Sequence, residues 1–269
     1  MTGAKGRCAP FARSSMRDPW VRVRDELDVW ARQKRVAEFW WRDDDAQDAS
    51  SELRRMLALA RRFDVTIGLS VIPMKLKPRL VGLLDGAREA EVLVHGFAHE
   101  NHARPGQAKR EFGGARTLDE ILAEIARGKA LLGEAFGPHV VPVLVPPWNR
   151  IVPSAIRHLP RLGFRGVSTW KPRLTARPTP GLTQVNTHLD LIDWRRGRVV
   201  KDERLVAGLL LRKLRWRRAR LARAKEPLGL LTHHAYWNAA KEQLVTRLLE
   251  VTRAHPAARW HTPASAFGL

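Results

Sequence analysis

Cysteine is nearly absent from this chain of 269 residues, whose one thiol belongs to Cys8. No disulfide framework can form within it, so the fold depends on packed apolar side chains. Long apolar runs are absent as well, because no segment approaches the ~20 residues of a membrane span. The first residues, "MTGAKGRCAPFARSSMRDPW", lack the apolar segment of a secretory signal. We therefore expect a cytoplasmic protein, with peripheral attachment to the inner membrane as an open alternative.

Negative charge is scarce, since 27 Asp+Glu face 48 Lys+Arg and the formal net charge is +21. Such an excess attracts anionic partners, which include glycans, lipid head groups and nucleic acids. An ordinary arginine-rich surface explains the charge equally well. Nucleic acid is the least favoured partner, because no zinc-finger or RNA-binding signature accompanies the charge.

Strand and helix patterns alternate along the chain about seven times. The strand-like runs are continuously apolar, which indicates parallel strands covered by helices. The pattern predicts an α/β fold, a distorted or incomplete (β/α) barrel of about seven parallel strands over residues 36–269. An open doubly wound sheet is the alternative, and residues 1–35 are predicted to be a tail and a short helix. The predicted strands include "VAEFWW" (36–41), "VTIGLSVIP" (65–73), "EVLVHG" (91–96), "VVPVLVPP" (140–147) and "LGLLTHHAYW" (228–237).

Ionisable side chains cluster after the first and third predicted strands, where a barrel carries its chemistry. Asp43, Asp44 and Asp45 follow the first strand, and three adjacent carboxylates repel one another unless cations compensate. His95 and His99 follow the third strand with a spacing that lets both rings face one divalent metal. Two histidines and one aspartate would form a three-ligand site that leaves positions open for water, as in hydrolytic zinc sites.

Later strand ends supply further candidates. Trp148, which follows "VPP", either provides a flat surface on which a sugar can stack or packs within a rigid loop. A histidine from the far side of a barrel can act as a general acid or base, although a lone histidine is often structural. The candidates for substrate binding or support are Asp43, His102, Pro147, Asn149, Arg150, Asp190, Asp193, Trp194 and His234.

Five of these stretches, in their order, resemble the polysaccharide deacetylase family, the NodB-homology domain of the carbohydrate esterase type. The resemblance spans about residues 36–269 and implies a distorted (β/α) barrel. It also implies a metal-dependent hydrolase that removes an N-acetyl group from a saccharide or glycoconjugate. The matching residues are Asp44-Asp45, His95 with His99, Pro146-Pro147-Trp148, Asp190 with Asp193-Trp194, and Leu231-Thr232-His233.

The resemblance also implies a role for each matched side chain. Asp45, His95 and His99 resemble the ligands of a divalent metal, usually zinc. Asp44 resembles the general base and His233 the general acid. The backbone N–H of Trp148 resembles the donor that stabilises the oxyanion.

Two departures make the chain a divergent example of this pattern. Ala46 stands where the family has glycine, and a shift of one residue would make Asp43 the base and Asp44 the ligand. Val145 stands where the family has an arginine that orients the base, and Arg42 or Arg150 could replace it. The alternative hypothesis is therefore a catalytically decayed scaffold that binds a carbohydrate or polyanion.

The arginine-rich segment "RRGRVVKDERLVAGLLLRKLRWRRARLARAKEP" predicts a helix over about residues 203–224. It is either a barrel helix with a solvated basic face or a docking surface for an anionic glycan, lipid head groups or, least favoured, nucleic acid. Its apolar side is predicted to hold Leu205, Leu209, Leu210, Leu214 and Leu221.

Overall fold

The computed structural model describes residues 18–219 and 226–269. A curled sheet with helices packed around it dominates these residues. The helices are α1 (Val21–Arg32), α2 (Ser51–Arg62), α3 (Pro78–Leu84), α4 (Leu118–Phe136), α5 (Pro153–His158), α6 (Glu203–Ala219), α7 (Ala239–Arg253) and α8 (Pro263–Phe267). The strands are β1 (Ala37–Ala46), β2 (Ile67–Val71), β3 (Ala90–His95), β4 (Val140–Val145), β5 (Gly166–Val167), β6 (Thr183–Gln184), β7 (Thr187–Asp190), β8 (Ile192–Asp193), β9 (Val199–Val200), β10 (Leu228–Thr232) and β11 (Ala258–Trp260).

All neighbouring strands of the main sheet are parallel, in the order β6-β5-β4-β3-β2-β1-β10-β7. Strand β11 adds a ninth strand beside the first residues of β1. Beyond β5, Trp170 forms a parallel bridge to Thr187 of β7, which brings the two ends of the sheet together. The prediction of a distorted, incomplete (β/α) barrel is confirmed, with eight strands along the path where about seven were expected.

Strand β1 is longer than the sequence predicts, because it continues through the three aspartates to Ala46. Asp43 pairs with Leu69 on one side and with Thr232 on the other. A strand held by neighbours on both edges tolerates residues of low strand propensity, since context outweighs that propensity. The ladder becomes irregular between Asp43 and Ala46, where Asp45 has a φ of +72°.

The two faces of β1 meet different surroundings, because successive side chains of a strand point in opposite directions. Phe39 and Trp41 lie in the large cluster that packs the sheet against the helices. Trp40 lies in a smaller cluster inside the barrel with apolar side chains of β3 and β4. Because side chains alternate along a strand, those of Arg42 and Asp44 lie on the same face of β1 as Trp40. The barrel interior therefore changes from apolar to charged along β1.

The basic helix α6 is a barrel helix that packs against α1. Its buried positions are Val206, Ala207, Leu210, Leu211, Leu214 and Arg217. The prediction for Leu205 is wrong, because this side chain lies beyond the edge of that stripe and is 49% exposed. Leu221 lies outside the described residues. Within the described ranges, every helix is too short or too polar to span a bilayer.

Gly229 allows β10 and β7 to approach each other closely. A Cβ at this position would lie 2.6 Å from the Asn186 carbonyl oxygen and 2.6 Å from Trp40 Nε1. That oxygen also accepts a hydrogen bond from Trp40 Nε1, at 3.1 Å, so displacement of either atom by a methyl group would strain this bond.

Replacement of Gly229 by alanine should lower the free energy of unfolding by about 1–3 kcal/mol, because the methyl group overpacks the barrel interior. Urea denaturation followed by circular dichroism measures the change. Gly208 is the matched control, since it lies exposed within α6 and a Cβ added there would meet no described side chain within 4 Å. Gly208→Ala should stabilise the chain by roughly 0.5–1 kcal/mol. Equal stability of Gly229→Ala and the parent would contradict the close approach.

Candidate functional site

One cleft opens at the carboxyl ends of β1, β3, β4 and β10. Parallel strands bring their carboxyl ends to the same edge of a sheet, where α/β proteins form their sites. The cleft has a volume of about 780 Å³, which suits a small ligand. Its lining residues are Asp44, Asp45, His95, His99, Lys109, Trp148, Asn149, Arg150, Trp170, Asp190, Trp194, Arg198, Leu231, His233 and Tyr236.

Asp45, His95 and His99 converge within the cleft and could hold a metal ion, and we call them the ligand cluster. The Oδ1 atom of Asp45 lies 3.0 Å from His95 Nε2 and 3.2 Å from His99 Nε2. Ligand atoms about 2.0–2.1 Å from a tetrahedral zinc ion lie roughly 3.3 Å apart, so this spacing fits such a cation. His95 Nδ1 donates to the Val145 carbonyl at 2.9 Å, so His95 would bind a cation through Nε2 once that nitrogen has lost its proton.

The charges of the ligand cluster favour an ionised carboxylate. Burial acts to raise the pKa of Asp45, but hydrogen bonds from His95 and His99 hold that pKa well below its usual range. Burial also acts to lower the pKa of His95, which the carboxylates of Asp45 and Asp44 nevertheless raise. An ionised Asp45 carboxylate therefore lies where the two imidazole nitrogens meet.

Arg42 holds Asp44 beside this cluster. Arg42 Nη2 lies 2.9 Å from Asp44 Oδ2 and also donates to Asn149 Oδ1 at 2.6 Å, while Nη1 donates to Ser168 Oγ at 2.7 Å. The guanidinium is fully buried and fixes the Asp44 carboxylate through Oδ2. The other carboxylate oxygen, Oδ1, has no hydrogen-bond partner among the described residues. Burial acts to raise the pKa of Asp44, but the charges of Arg42, His95 and His233 lower it. Arg42 and Arg150 are the two candidates to replace the arginine expected at position 145, and Arg42 is the one that contacts Asp44.

Asp43 and His234 form a separate buried pair on the helix side of β1. His234 Nδ1 donates to Asp43 Oδ1 at 2.5 Å, and Thr232 Oγ1 donates to Asp43 Oδ2 at 2.6 Å. Burial acts to lower the pKa of His234, but the Asp43 charge raises it. Neither Asp43 nor His234 is among the described residues that line the cleft.

His233 lies on another wall of the cleft, at the end of β10. Its Nδ1 is buried without a hydrogen-bond partner among the described residues, and its ring packs edge-on against Trp194 with centroids 4.9 Å apart. Trp194 Nε1 in turn donates to Asp190 Oδ2 at 2.6 Å. Asp193 accepts from the backbone N–H groups of Arg195 and Arg196 and thus caps a short turn outside the cleft.

The loop after β4 places Trp148 against the ligand cluster. The rings of Trp148 and His99 lie 4.3 Å apart between centroids. Trp148 and Asn149 have φ values of +53° and +58°, and His99 has +57°. Positive φ is costly for residues other than glycine and tends to occur at functional sites. Pro147 is buried at the start of this loop.

Glu111 is a residue of the site that no pattern in the sequence singles out. Its fully buried carboxylate accepts hydrogen bonds from the backbone N–H groups of Phe97 at 3.1 Å and Ala98 at 2.7 Å. It therefore fixes the turn between His95 and His99. Gly96 turns there with a φ of +64°, and a Cβ at this position would overlap Glu111 Oε2. An isolated acid in a polar loop carries no local signal for this contact.

Other residues complete or adjoin the cleft. The backbone N–H of His102 donates to the Arg110 carbonyl at 2.9 Å, and His102 is not among the described lining residues. Arg150 lies exposed at the rim. Four further lining residues were not predicted from the sequence, because their strands or loops meet the cleft only after folding: Lys109, Trp170, Arg198 and Tyr236.

Comparison with known proteins adds information on the fold. No family model matches this sequence, and no curated protein matches it. A solved peptidoglycan N-acetylglucosamine deacetylase is similar, with a TM-score of 0.57, 15% identity and coverage of 86% of this chain and 88% of that chain. A family 4 acetyl xylan esterase from Clostridium thermocellum, in complex with a cobalt ion, has a TM-score of 0.51, 12% identity and coverage of 87% and 90%.

A family 4 pseudoenzyme from Bacillus anthracis is similar as well, with a TM-score of 0.56, 13% identity and coverage of 86% of this chain and 66% of that chain. Identities this low establish the fold and leave the activity open. The resemblance found in the sequence is thus confirmed by three-dimensional structure. The chain has the fold of the polysaccharide deacetylases of carbohydrate esterase family 4, in a divergent form.

Proposed function

We propose that this protein is a metal-dependent hydrolase that removes an N-acetyl group from a saccharide or glycoconjugate. The observation that carries the proposal is that the ligand cluster, Asp44 and His233 line one cleft. Asp44 Oδ1 and His233 Nδ1 have no hydrogen-bond partner among the described residues. Structural relatives are named for deacetylation of peptidoglycan and for acetyl xylan esterase activity, which supports an acetylated saccharide as substrate.

Asp45, His95 and His99 would hold the metal, most suitably zinc, because one carboxylate and two imidazoles match hydrolytic zinc sites. When bound, such an ion lowers the pKa of a water ligand toward ~7 and polarises a carbonyl group. The structural relative solved in complex with a cobalt ion supports a metal in the proposed function.

The chain's own side chains would move the protons. Asp44 Oδ1, without a partner among the described residues, accepts a proton from the attacking water while Arg42 keeps the carboxylate ionised and oriented. The Trp148 N–H donates to the oxygen of the acetyl carbonyl as negative charge develops there. His233 donates a proton to the departing amine from another wall of the cleft.

A catalytically decayed scaffold that binds carbohydrate or polyanion is the second candidate. The pseudoenzyme among the structural relatives indicates that this fold can occur without activity. Contact between Arg42 and Asp44 supports the first candidate, because the base retains a buried guanidinium partner despite Val145. The predicted cytoplasmic location and the anionic docking surface at α6 stay predictions.

The protein should bind about one zinc or cobalt ion per chain, measured by inductively coupled plasma mass spectrometry after purification without chelators. Asp45→Asn should weaken that binding by about 10-fold or more, because it removes a charged ligand. Asp48→Asn is the matched control, since Asp48 pairs with Arg79 and does not line the cleft. Less than about 0.2 ion per chain, with no activity after zinc or cobalt is added, would exclude the enzyme hypothesis.

Asp44→Asn should reduce acetate release by roughly 10²–10⁴-fold while the metal content stays that of the parent, because the change removes a proton acceptor and spares the three ligands. A coupled acetate assay on N-acetylated oligosaccharides measures the loss. If the metal is lost instead, the assignment of Asp44 as base and Asp45 as ligand is wrong.

Arg42→Lys should lower kcat by about 10–100-fold with unchanged metal content, because lysine keeps the charge but cannot replace the guanidinium fork that positions Asp44 and Asn149. Steady-state kinetics on the same substrate gives the ratio. Arg161→Lys, at an exposed turn before β5, controls for the chemical change. A kcat equal to that of the parent would show that Arg42 does not orient the base.

A further inference from the structure

Three cationic side chains line the rim of the cleft and take no part in the proposed chemistry. We call Lys109, Arg150 and Arg198 the rim cations. All three are exposed, and no ion pair joins any of them to a carboxylate among residues 18–219 and 226–269. Their charges therefore remain uncompensated by the described part of the protein at the entrance of its site.

The rim cations stand on two walls of the cleft. On one wall, Arg150 Nη1 donates to the carbonyls of Lys109 at 3.3 Å and Trp148 at 3.4 Å. This wall adjoins the ligand cluster, because Trp148 packs on His99. The guanidinium is thus anchored to backbone next to the group proposed to stabilise the oxyanion.

On the other wall, Arg198 Nη1 donates to the Tyr236 hydroxyl at 3.1 Å. The Tyr236 ring packs edge-on against Trp194, and Trp194 packs against His233. Arg198 therefore lies on the same wall as the proposed general acid and is connected to it through Tyr236 and Trp194. A sugar held between the two walls would have a cation near it on each side.

Within the described residues, the carboxylates of the cleft form no ion pairs with the rim cations. Asp44 pairs with Arg42, and Asp45 is engaged by His95 and His99. Asp190 keeps its charge, but its two oxygens are held by the Ile192 N–H and by Trp194 Nε1, and no ion pair joins it to a rim cation among the described residues. A bound divalent ion would add further positive charge, so a neutral glycan would leave the entrance strongly cationic.

We propose that the natural substrate is anionic, a saccharide that carries a phosphate or a carboxylate beside its N-acetyl sugar. This inference rests on the proposed deacetylase function and narrows it. Guanidinium groups match phosphate and carboxylate geometry, and charge around a cleft raises the local concentration of an oppositely charged substrate. The aromatic residues Trp148, Trp170, Trp194 and Tyr236 supply apolar surface for the sugar rings between the charges.

The test compares three matched trisaccharides of N-acetylglucosamine: the neutral parent, its 6-phosphate and its 6-carboxylate. For the zinc-loaded parent protein, kcat/KM for at least one anionic form should exceed that for the neutral form by about 10–100-fold. This factor is what three exposed ion pairs between the rim cations and the substrate can contribute. Comparison of the two anionic forms identifies the source of the charge. Raising NaCl from about 0.05 M to about 0.5 M should reduce this preference, because salt screens exposed charges.

The triple variant Lys109→Gln, Arg150→Gln, Arg198→Gln should reduce the preference to within about threefold while the neutral form is affected less. The matched control is Arg88→Gln, Arg161→Gln, Arg259→Gln, which removes three exposed charges outside the cleft. Equal preference in the parent and the triple variant, or no preference in the parent, overturns the inference.

Calorimetric titration of Asp44→Asn with the same trisaccharides separates this inference from the proposed function. Tighter binding of an anionic form without acetate release from any form by the parent protein supports the anionic ligand and rejects the hydrolase. Acetate release from all three forms at equal kcat/KM supports the hydrolase and rejects the anionic substrate. Absence of both binding and release rejects both.

Discussion

The buried contact between Arg42 and Asp44 is the interaction on which the arrangement of the cleft depends. It joins two residues of one strand, yet the same guanidinium also reaches Asn149 after β4 and Ser168 after β5. A guanidinium has five donors in a fixed plane, so one buried arginine can fix the relative positions of three strand ends. Removing either partner would leave a buried charge uncompensated, which is strongly unfavourable.

The charge on β1 is arranged so that each of its three aspartates has its own partner. Asp43 meets His234, Asp44 meets Arg42, and Asp45 meets the imidazoles of β3 and its following loop. Alternation along the strand sends Asp43 and Asp44 to opposite faces. The positive φ of Asp45 then turns its carboxylate toward the histidines. Mutual repulsion is thereby relieved without a cation shared by all three.

Support for the ligand cluster comes from outside the motifs that identify it. Glu111 fixes the turn between the two histidines, and the Val145 carbonyl sets the tautomer of His95. Val145, which marks the chain as divergent, thus still contributes its backbone. Since a backbone carbonyl is independent of the side chain, the arginine expected at this position could be lost while the histidine kept its orientation.

The sequence by itself determined the parallel α/β architecture, because continuous apolar runs alternating with amphipathic helices leave few other ways to bury both. It also identified Asp44, Asp45, His95, His99 and His233 as candidates, since chemistry-bearing residues directly after strands must meet at one edge of the sheet. Only the tertiary structure decided which replacement arginine contacts Asp44 and that Asp43 faces away from the cleft. It also decided that Glu111 fixes the turn between the two histidines and that the rim cations line the cleft. These outcomes depend on which face of β1 each side chain occupies, on the irregularity between Asp43 and Ala46, and on loops that are distant in sequence. None of these three features produces a periodic pattern in the sequence.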